Sequence, residues 1–475
     1  MRKYDMLVLG SGAGANVASN AYQQGLSVAI VDNGRFGGTC LNRGCIPTKI
    51  LTYVADVIME INHAKKVNLH AKVEGVDFKP LMERMRKETW GEAAEMEESI
   101  AQVENYDFYK GTGEFTNDYT MEVSGEQLKA DHVIIAAGSR PLIPKIQGLD
   151  DVDYLTNKTI LSLDEQPESM IIVGGGYIAT EFAHFFSAIG TEVTILGRNP
   201  YLVKNEDNDV SELLQEELSK RMHVLTNHEV IKVSQDGESK KVTAKDRASG
   251  KERDFQAETL LLAAGRVSNA DLFKPEKTGV KVDKQGWVTV DDFFRTSKKN
   301  IWAFGDAIGR YQFRHVANEE AAIAWYNFVS TLNSQHHGGK PELQSMSYHA
   351  IPRAVFSYPQ IATVGMTLTE AKTSKRKLLV GQIGYDGAAK GAAMGYPSGF
   401  LRVIADANDR TILGATIVGP EAPTLIQEII NLMYTDDRTF SPMFNAIHIH
   451  PALPELVQRA FGRLAPLNIE HQHLQ

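Results

Sequence analysis

The sequence predicts an α/β chain in which two doubly wound, parallel-sheet units are followed by a C-terminal α+β unit. Three observations predict it. A glycine fingerprint set between two short apolar strands occurs twice, at Gly10-Ser11-Gly12-Ala13-Gly14-Ala15 and at Gly174-Gly175-Gly176-Tyr177-Ile178-Ala179. Well after each fingerprint comes an apolar strand ending in the same tripeptide, Ala136-Ala137-Gly138 and Ala263-Ala264-Gly265. Past a Ser/Gln/His/Gly-rich linker, Ser334 to Lys340, short β-like runs separated by turns replace the strand-helix alternation, and no third fingerprint appears. Alternating strands and helices with glycine turns build parallel sheets with helical crossovers, and 475 residues agree with roughly three domains. The expected units are residues 1–150, completed by 281–340, then 151–280, then 341–475.

Composition narrows the class of function. With 43% hydrophobic and 23% charged residues the chain can build ordinary globular cores. The net charge of −9 argues against a nucleic-acid partner, which would draw on a basic surface. Met1 to Asp5 run directly into an apolar strand, leaving no room for a signal peptide, and no apolar run reaches the ~18 residues of a membrane span. A cytoplasmic protein with no membrane partner is the expectation, and no metal site is expected.

In the first unit, strand Met6 to Leu9 feeds the glycine turn, a small-residue helix follows, and strand Ser27 to Asp32 closes the motif. Gly10 permits the tight turn, Gly12 lets backbone amides approach a pyrophosphate at a helix N-terminus, and Ala15 is small enough for helix-strand packing. Asp32 stands where an acid can accept ribose hydroxyls. The second fingerprint uses Gly174, Gly176 and Ala179 in the same way, but its second strand ends in Gly197-Arg198, with Lys204 just beyond. Two cations where an acid would repel a 2′-phosphate read as an NADP-type site; the alternative is two solvated surface charges. The segment Phe78 to Val103 reads as a largely solvated connecting helix. Strand Asn300 to Phe304 ends in Gly305-Asp306, an aspartate at a strand's C-terminal edge. Leu425 to Tyr434 reads as an amphipathic helix of the last unit, which suits an interface.

The chemistry centres on Gly37-Gly38-Thr39-Cys40-Leu41-Asn42-Arg43-Gly44-Cys45-Ile46-Pro47-Thr48-Lys49. It contains the only two cysteines of the chain, five positions apart. Buried thiols are common, but two so close, in a glycine-flanked turn before a helix, read as a reactive pair. In a reducing compartment such a disulfide is more often catalytic than structural. Near the C-terminus, His448-Ile449-His450-Pro451 is followed by Glu455. His450 with an orienting carboxylate forms a proton-transfer pair, and thiol-disulfide exchange needs such a group.

With these motifs in place the chain resembles the pyridine nucleotide-disulfide oxidoreductases over nearly its whole length, in the dihydrolipoamide dehydrogenase, glutathione reductase and mycothione reductase group. The resemblance implies that the first fingerprint binds FAD, together with Gly38, Thr39, Gly138, Gly305 and Asp306. It implies that the second binds the nicotinamide nucleotide, with Gly265. Cys40 would be the thiol that attacks substrate and Cys45 the thiol against the flavin. Lys49, with Glu181 as its carboxylate partner, would sit near the reactive flavin edge. His450, oriented by Glu455, would act on the thiols of the other subunit of a homodimer. The C-terminal motifs are similar to mycothione reductase, and the absence of a C-terminal cysteine pair separates the chain from mercuric reductase and the large thioredoxin reductases.

NADPH-dependent reduction of a small-molecule disulfide is therefore expected. An NAD-linked dihydrolipoamide dehydrogenase and a flavin-binding sensor without turnover are the alternatives. Two residues depart from the family pattern. Asp32 stands where Glu is more usual, and Arg43 replaces a small apolar residue. Arg43 would either favour an anionic substrate or pair with a surface acid.

Overall fold

The computed structural model describes residues 1–396 and 398–467; the last stretch of the expected interface unit, 468–475, lies outside the described residues. Three larger sheets, of seven, four and six strands, organise the described residues, with two smaller ones beside them. The first contains seven strands, in the order Tyr106–Lys110, Val28–Asp32, Arg2–Leu9, Glu126–Ile135, Thr120–Val123, Glu114–Asn117, with Ile301–Ala303 added along Glu126–Ile135. Its central pairings are parallel and bring Leu9 opposite both Val31 and Ile135, as crossover helices require. Met6, Leu7, Val8, Val28 to Val31 and Val133 to Ile135 are all buried, the continuous apolar runs of a sheet covered on both faces. The fold is the predicted α/β class.

The second sheet repeats the plan in four parallel strands, ordered His223–Leu225, Glu192–Leu196, Ser169–Val173, Thr259–Leu262. A three-stranded antiparallel sheet, His228–Asp236, Ser239–Asp246 and Glu252–Ala257, stands beside it. The repeated Ala-Ala-Gly has a physical reason. Gly10 has φ of 104° and its missing Cβ would fall 2.2 Å from the carbonyl oxygen of Ala136; Gly174 has φ of 138° and the same 2.2 Å clearance from the oxygen of Ala263. In each unit the tripeptide strand abuts the glycine turn, and only glycine fits.

The C-terminal sheet is antiparallel: Pro352–Val355, Ile361–Gly365, Ile412–Val418, Phe400–Asp406, Leu378–Gly384 and Ala465–Pro466. Helices Ala422–Met433 and Glu455–Phe461 pack on it through Leu425, Ile426, Ile429, Met433, Leu456 and Phe461. The amphipathic helix expected at Leu425 thus starts three residues earlier.

Two expectations need correction. The Phe78 to Val103 segment is not a single solvated helix but two helices, Phe78–Arg86 and Glu92–Ile100, joined by a π turn at Lys87–Gly91. Phe78, Met82, Met85, Thr89 and Ala93 form a buried stripe at helical spacing, and the first three share a core with Leu51 and Ala55 of helix Cys45–His63. The stretch from Ser334 is not wholly a linker either, because helix Arg314–His337 runs through its first four residues. Among the described residues no helix is long and apolar enough to cross a membrane.

Candidate active site

The dithiol turn is built onto the first glycine loop. Gly38 has φ of 69°, and a Cβ there would lie 2.7 Å from Cα of Gly12, so two glycine backbones touch where one side chain would separate them. Asp32 holds the loop in place. Its Oδ2 accepts from the backbone N–H of Ser11 at 2.8 Å and the Ser11 hydroxyl at 2.7 Å, while Oδ1 accepts from the Gly34 N–H at 2.9 Å. The Gly37 N–H in turn donates to the Ser11 hydroxyl at 3.1 Å. Asn42 braces the short helix Gly38–Arg43 by donating to the carbonyls of Phe36 and Gly38, and the Trp90 indole donates to the Asn42 carbonyl.

Cys45 opens the long helix Cys45–His63, where backbone dipoles favour an anion. Its thiol is brought down to about 7, first by the hydrogen bond from Cys40 and then by Lys49. The Cys40 thiol, which donates that bond and is itself partly buried, is pushed up. The pair is thus polarised, with the negative charge on Cys45. One helical turn on, Lys49 Nζ meets Glu181 Oε2 at 2.5 Å and lies 4.4 Å from the ring centre of Phe356. The backbone N–H of Phe356 donates to the other Glu181 oxygen at 3.1 Å.

A single cavity of about 1000 Å³ runs past these groups. Its wall includes Gly10, Gly12, Asp32, Gly38, Thr39, Gly138, Gly305 and Asp306, then Cys40, Cys45, Lys49 and Glu181, and also Gly176, Lys204 and Gly265. Missing side chains make room: a Cβ at Gly138 or Gly176 would meet nothing within 4 Å. Ala15, half-buried, and Ala179, fully buried, pack behind the loops rather than on the cavity. Arg198 is exposed at its strand end and, unlike Lys204, is not part of the cavity wall.

Two groups of residues were missed. Ser139 donates to Asp306 at 2.5 Å, and Arg266 donates to the Ser139 hydroxyl at 2.7 Å and stands 3.6 Å from Asp306. Both directly follow an Ala-Ala-Gly, a signal present in the echo itself. Tyr177 and Phe356 also line the cavity, and no local motif marks Phe356.

His450 stands apart. Its Nδ1–H donates to Glu455 Oε1 at 3.0 Å, and Glu455 also accepts from the Ala452 N–H and from Arg459. These donors, His450 first, hold the Glu455 carboxyl below its ordinary range. Nε2 has no hydrogen-bond partner among the described residues, and the His450 side chain is 69% exposed. It lies outside the cavity that contains the thiols of its own chain. Ile447 and Ile449 beside it are exposed, Ile447 completely.

Comparison with known proteins decides the family. The family model described as pyridine nucleotide-disulphide oxidoreductase matches residues 4–321, and the model of that family's dimerisation domain matches 351–461. The chain belongs to the pyridine nucleotide-disulphide oxidoreductases. It is 35% identical to mycothione reductase of Mycobacterium tuberculosis over 97% of this chain and 99% of that protein. It is 30% identical to dihydrolipoyl dehydrogenase of Chlamydia pneumoniae, covering 96% and 95%. Among solved structures it is similar to the HOCl-induced flavoprotein disulfide reductase RclA of Escherichia coli, in its Cu(II) complex, with a TM-score of 0.84, 25% identity and coverage of 97% and 99%. The chain is an FAD- and nicotinamide-dependent enzyme of the flavoprotein disulfide reductase class, acting on thiol disulfides.

Proposed function

We propose that this enzyme uses NADPH to reduce a low-molecular-weight disulfide through the Cys40–Cys45 pair, in a homodimer whose subunits share each active site. The observation that carries the reading is the continuity of one cavity from the first glycine loop, past the dithiol and the Lys49–Glu181 pair, to the second glycine loop. In this reading residues 1–150 with 281–340 hold FAD, 151–280 hold the nicotinamide nucleotide, and 341–475 pair the subunits. When bound, the two cofactors supply a two-electron reduction of the Cys40–Cys45 disulfide.

The chain's own residues control sulfur and proton. Cys45 is held as the thiolate by the helix N-terminus, the Cys40 S–H and Lys49. His450 of the partner subunit takes the proton of Cys40, whose sulfur attacks the substrate disulfide. The imidazolium returns that proton to the first departing thiol. The Cys45 thiolate then attacks Cys40 Sγ, releasing the second product as its thiolate, which takes a proton from water, and restoring the disulfide. Glu455 fixes the imidazole through Nδ1. The exposure of His450 and its apolar neighbours supports action on a second subunit. The missing acid at the end of the second unit's strand, with Arg198 and Lys204 in its place, supports NADPH. A cytoplasmic setting goes with a nicotinamide-driven reductase.

A panel of disulfides, including mycothiol, glutathione, bis-γ-glutamylcystine, coenzyme A and lipoamide, assayed with NADPH and NADH in turn, tests the proposal. We expect turnover of a low-molecular-weight disulfide with NADPH, and a fall in kcat/KM for NADPH but not NADH in R198A/K204A. A preference for NADH that ignores both substitutions would move the protein to the NAD-linked reading. Absence of turnover with every pair would leave a flavin-binding sensor.

A further inference from the structure

We propose that Glu206 and Asp207 are positioning residues for the nicotinamide nucleotide: they fasten the loop that carries Lys204 to the dimerisation domain, so that the unit pairing the subunits also sets the electron donor's site. The loop follows strand Glu192–Leu196 and ends where helix Asn208–Ser219 begins. Its middle packs on the second glycine turn. The Val203 N–H donates to the Gly175 carbonyl at 2.7 Å, with Val203 at a φ of 41°, and a Cβ at Gly175 would lie 3.2 Å from Leu202. Val203, Lys204, Asn205 and Glu206 then form part of the cavity wall.

Among the described residues, every hydrogen bond to the two carboxylates comes from the dimerisation domain, residues 351–461. The Glu206 side chain is 4% exposed. Its Oε1 accepts from Arg353 Nε at 2.6 Å, and its Oε2 from the Thr363 hydroxyl at 2.6 Å and from Arg353 Nη2 at 3.4 Å. Arg353 also donates to the Asn205 carbonyl at 3.1 Å. Asp207 is equally buried. Its Oδ2 accepts from the Leu368 N–H at 2.8 Å and from Arg402 at 3.2 Å, and its Oδ1 from the N–H and hydroxyl of Thr369 at 2.8 and 2.7 Å. Two buried carboxylates are costly unless each is satisfied, so the course of this loop depends on the donors that the dimerisation domain presents. Glu206 is thereby withheld from Lys204, the exposed cation of the same loop. The strand that carries Arg353 runs on into Phe356, whose N–H holds Glu181. One edge strand of the dimerisation domain therefore braces both the partner of Lys49 and the nucleotide loop.

The inference rests on the second glycine turn holding the nicotinamide nucleotide, and it is read with whichever of NADPH and NADH reduces the wild-type flavin. D207N and T363V decide it, because neither Asp207 nor Thr363 lines the cavity. Stopped-flow reduction of bound FAD at increasing nucleotide concentration gives the Kd of the nucleotide and the limiting rate. Reoxidation of the reduced enzyme by the aromatic disulfide dithiobis-nitrobenzoate reports the other half-reaction. Each variant should raise the Kd roughly 10-fold, the loss of one hydrogen bond to a buried charge, while the limiting rate, the flavin content and reoxidation stay at wild-type values. T363S, which keeps the hydroxyl, should restore the affinity. If D207N does not fold, E206Q and T363V carry the same comparison. Wild-type nucleotide affinity in the variants overturns the inference, as does a loss of flavin or an equal loss in both half-reactions. A wild-type flavin that neither nucleotide reduces overturns the reading of the second glycine turn, and the inference with it, whereas a preference for NADH overturns only the NADPH reading.

Discussion

At the scale of single residues the decisive quantity is where the negative charge of the reduced dithiol resides. Cys45 is the anion because three positive influences converge on it, while Cys40 keeps its proton by donating to it. The Cys45 thiolate should therefore be present above about pH 7 and lost below it. Ultraviolet thiolate absorbance of the reduced protein reports that midpoint directly. Lys49 lowers the thiol and Glu181 raises it, so the two substitutions have opposite signs. K49M should move the midpoint up by about one unit and E181Q should move it down; a shift of the same sign in both would break the assignment. The two cysteines and Lys49 were legible in the sequence because their spacing along one turn and one helix is local. Phe356 was not, because it reaches Lys49 and Glu181 from a different sheet.

Among the elements, the two glycine turns and the dithiol turn depend on close backbone approach. G38A forces a methyl to within 2.7 Å of the Gly12 Cα at a positive φ. Neither backbone can yield as a side chain can. We expect a loss of about 1–3 kcal/mol or more in unfolding free energy together with loss of bound flavin, measured by denaturant titration and by the absorbance ratio of the purified protein. M82A should cost about 2–5 kcal/mol while leaving flavin content unchanged, since Met82 is fully buried in the core it shares with the dithiol helix and does not line the cavity. Met82 shows what pattern reading lost. Charged residues dominate its segment, yet Phe78, Met82, Met85, Thr89 and Ala93 mark one helical face, and the periodicity outweighs the composition. Helix Arg314–His337 makes a related point. Its polar last turn resembles a linker, but nothing there breaks a helix until Gly338.

For the whole molecule, the question is whether His450 acts across a subunit boundary. Co-expression of C40S and H450Q chains answers it. If the site is shared, a mixed dimer holds one doubly altered site and one intact one, and a statistical mixture recovers roughly a quarter of wild-type sites. Activity no greater than the sum of the separate variants would place His450 with its own thiols. H450Q alone should lose roughly 10²–10⁴-fold in turnover, and charged substitutions at Ile447 and Ile449 should shift the mass in light scattering toward the monomer. The distribution of the site over distant stretches is also why the substrate was not legible. Local spacing encodes thiols and glycine turns, whereas a pocket wall is assembled by tertiary packing. The fold class itself was readable, because each nucleotide unit closes its strand on its own glycine turn.

The Lys49–Glu181 pair joins helix Cys45–His63 to helix Tyr177–Ala188. The second of these helices begins at the second glycine turn. Glu181, the fifth residue of that helix, holds an ammonium one turn from the thiolate. A displacement at its N-terminus would change the distance between that ammonium and the sulfur, and hence the sulfur's basicity. On the proposed assignment of the second glycine turn, the titration midpoint of Cys45 should differ with and without NADP⁺, and an unchanged midpoint would show that the pair carries no such coupling.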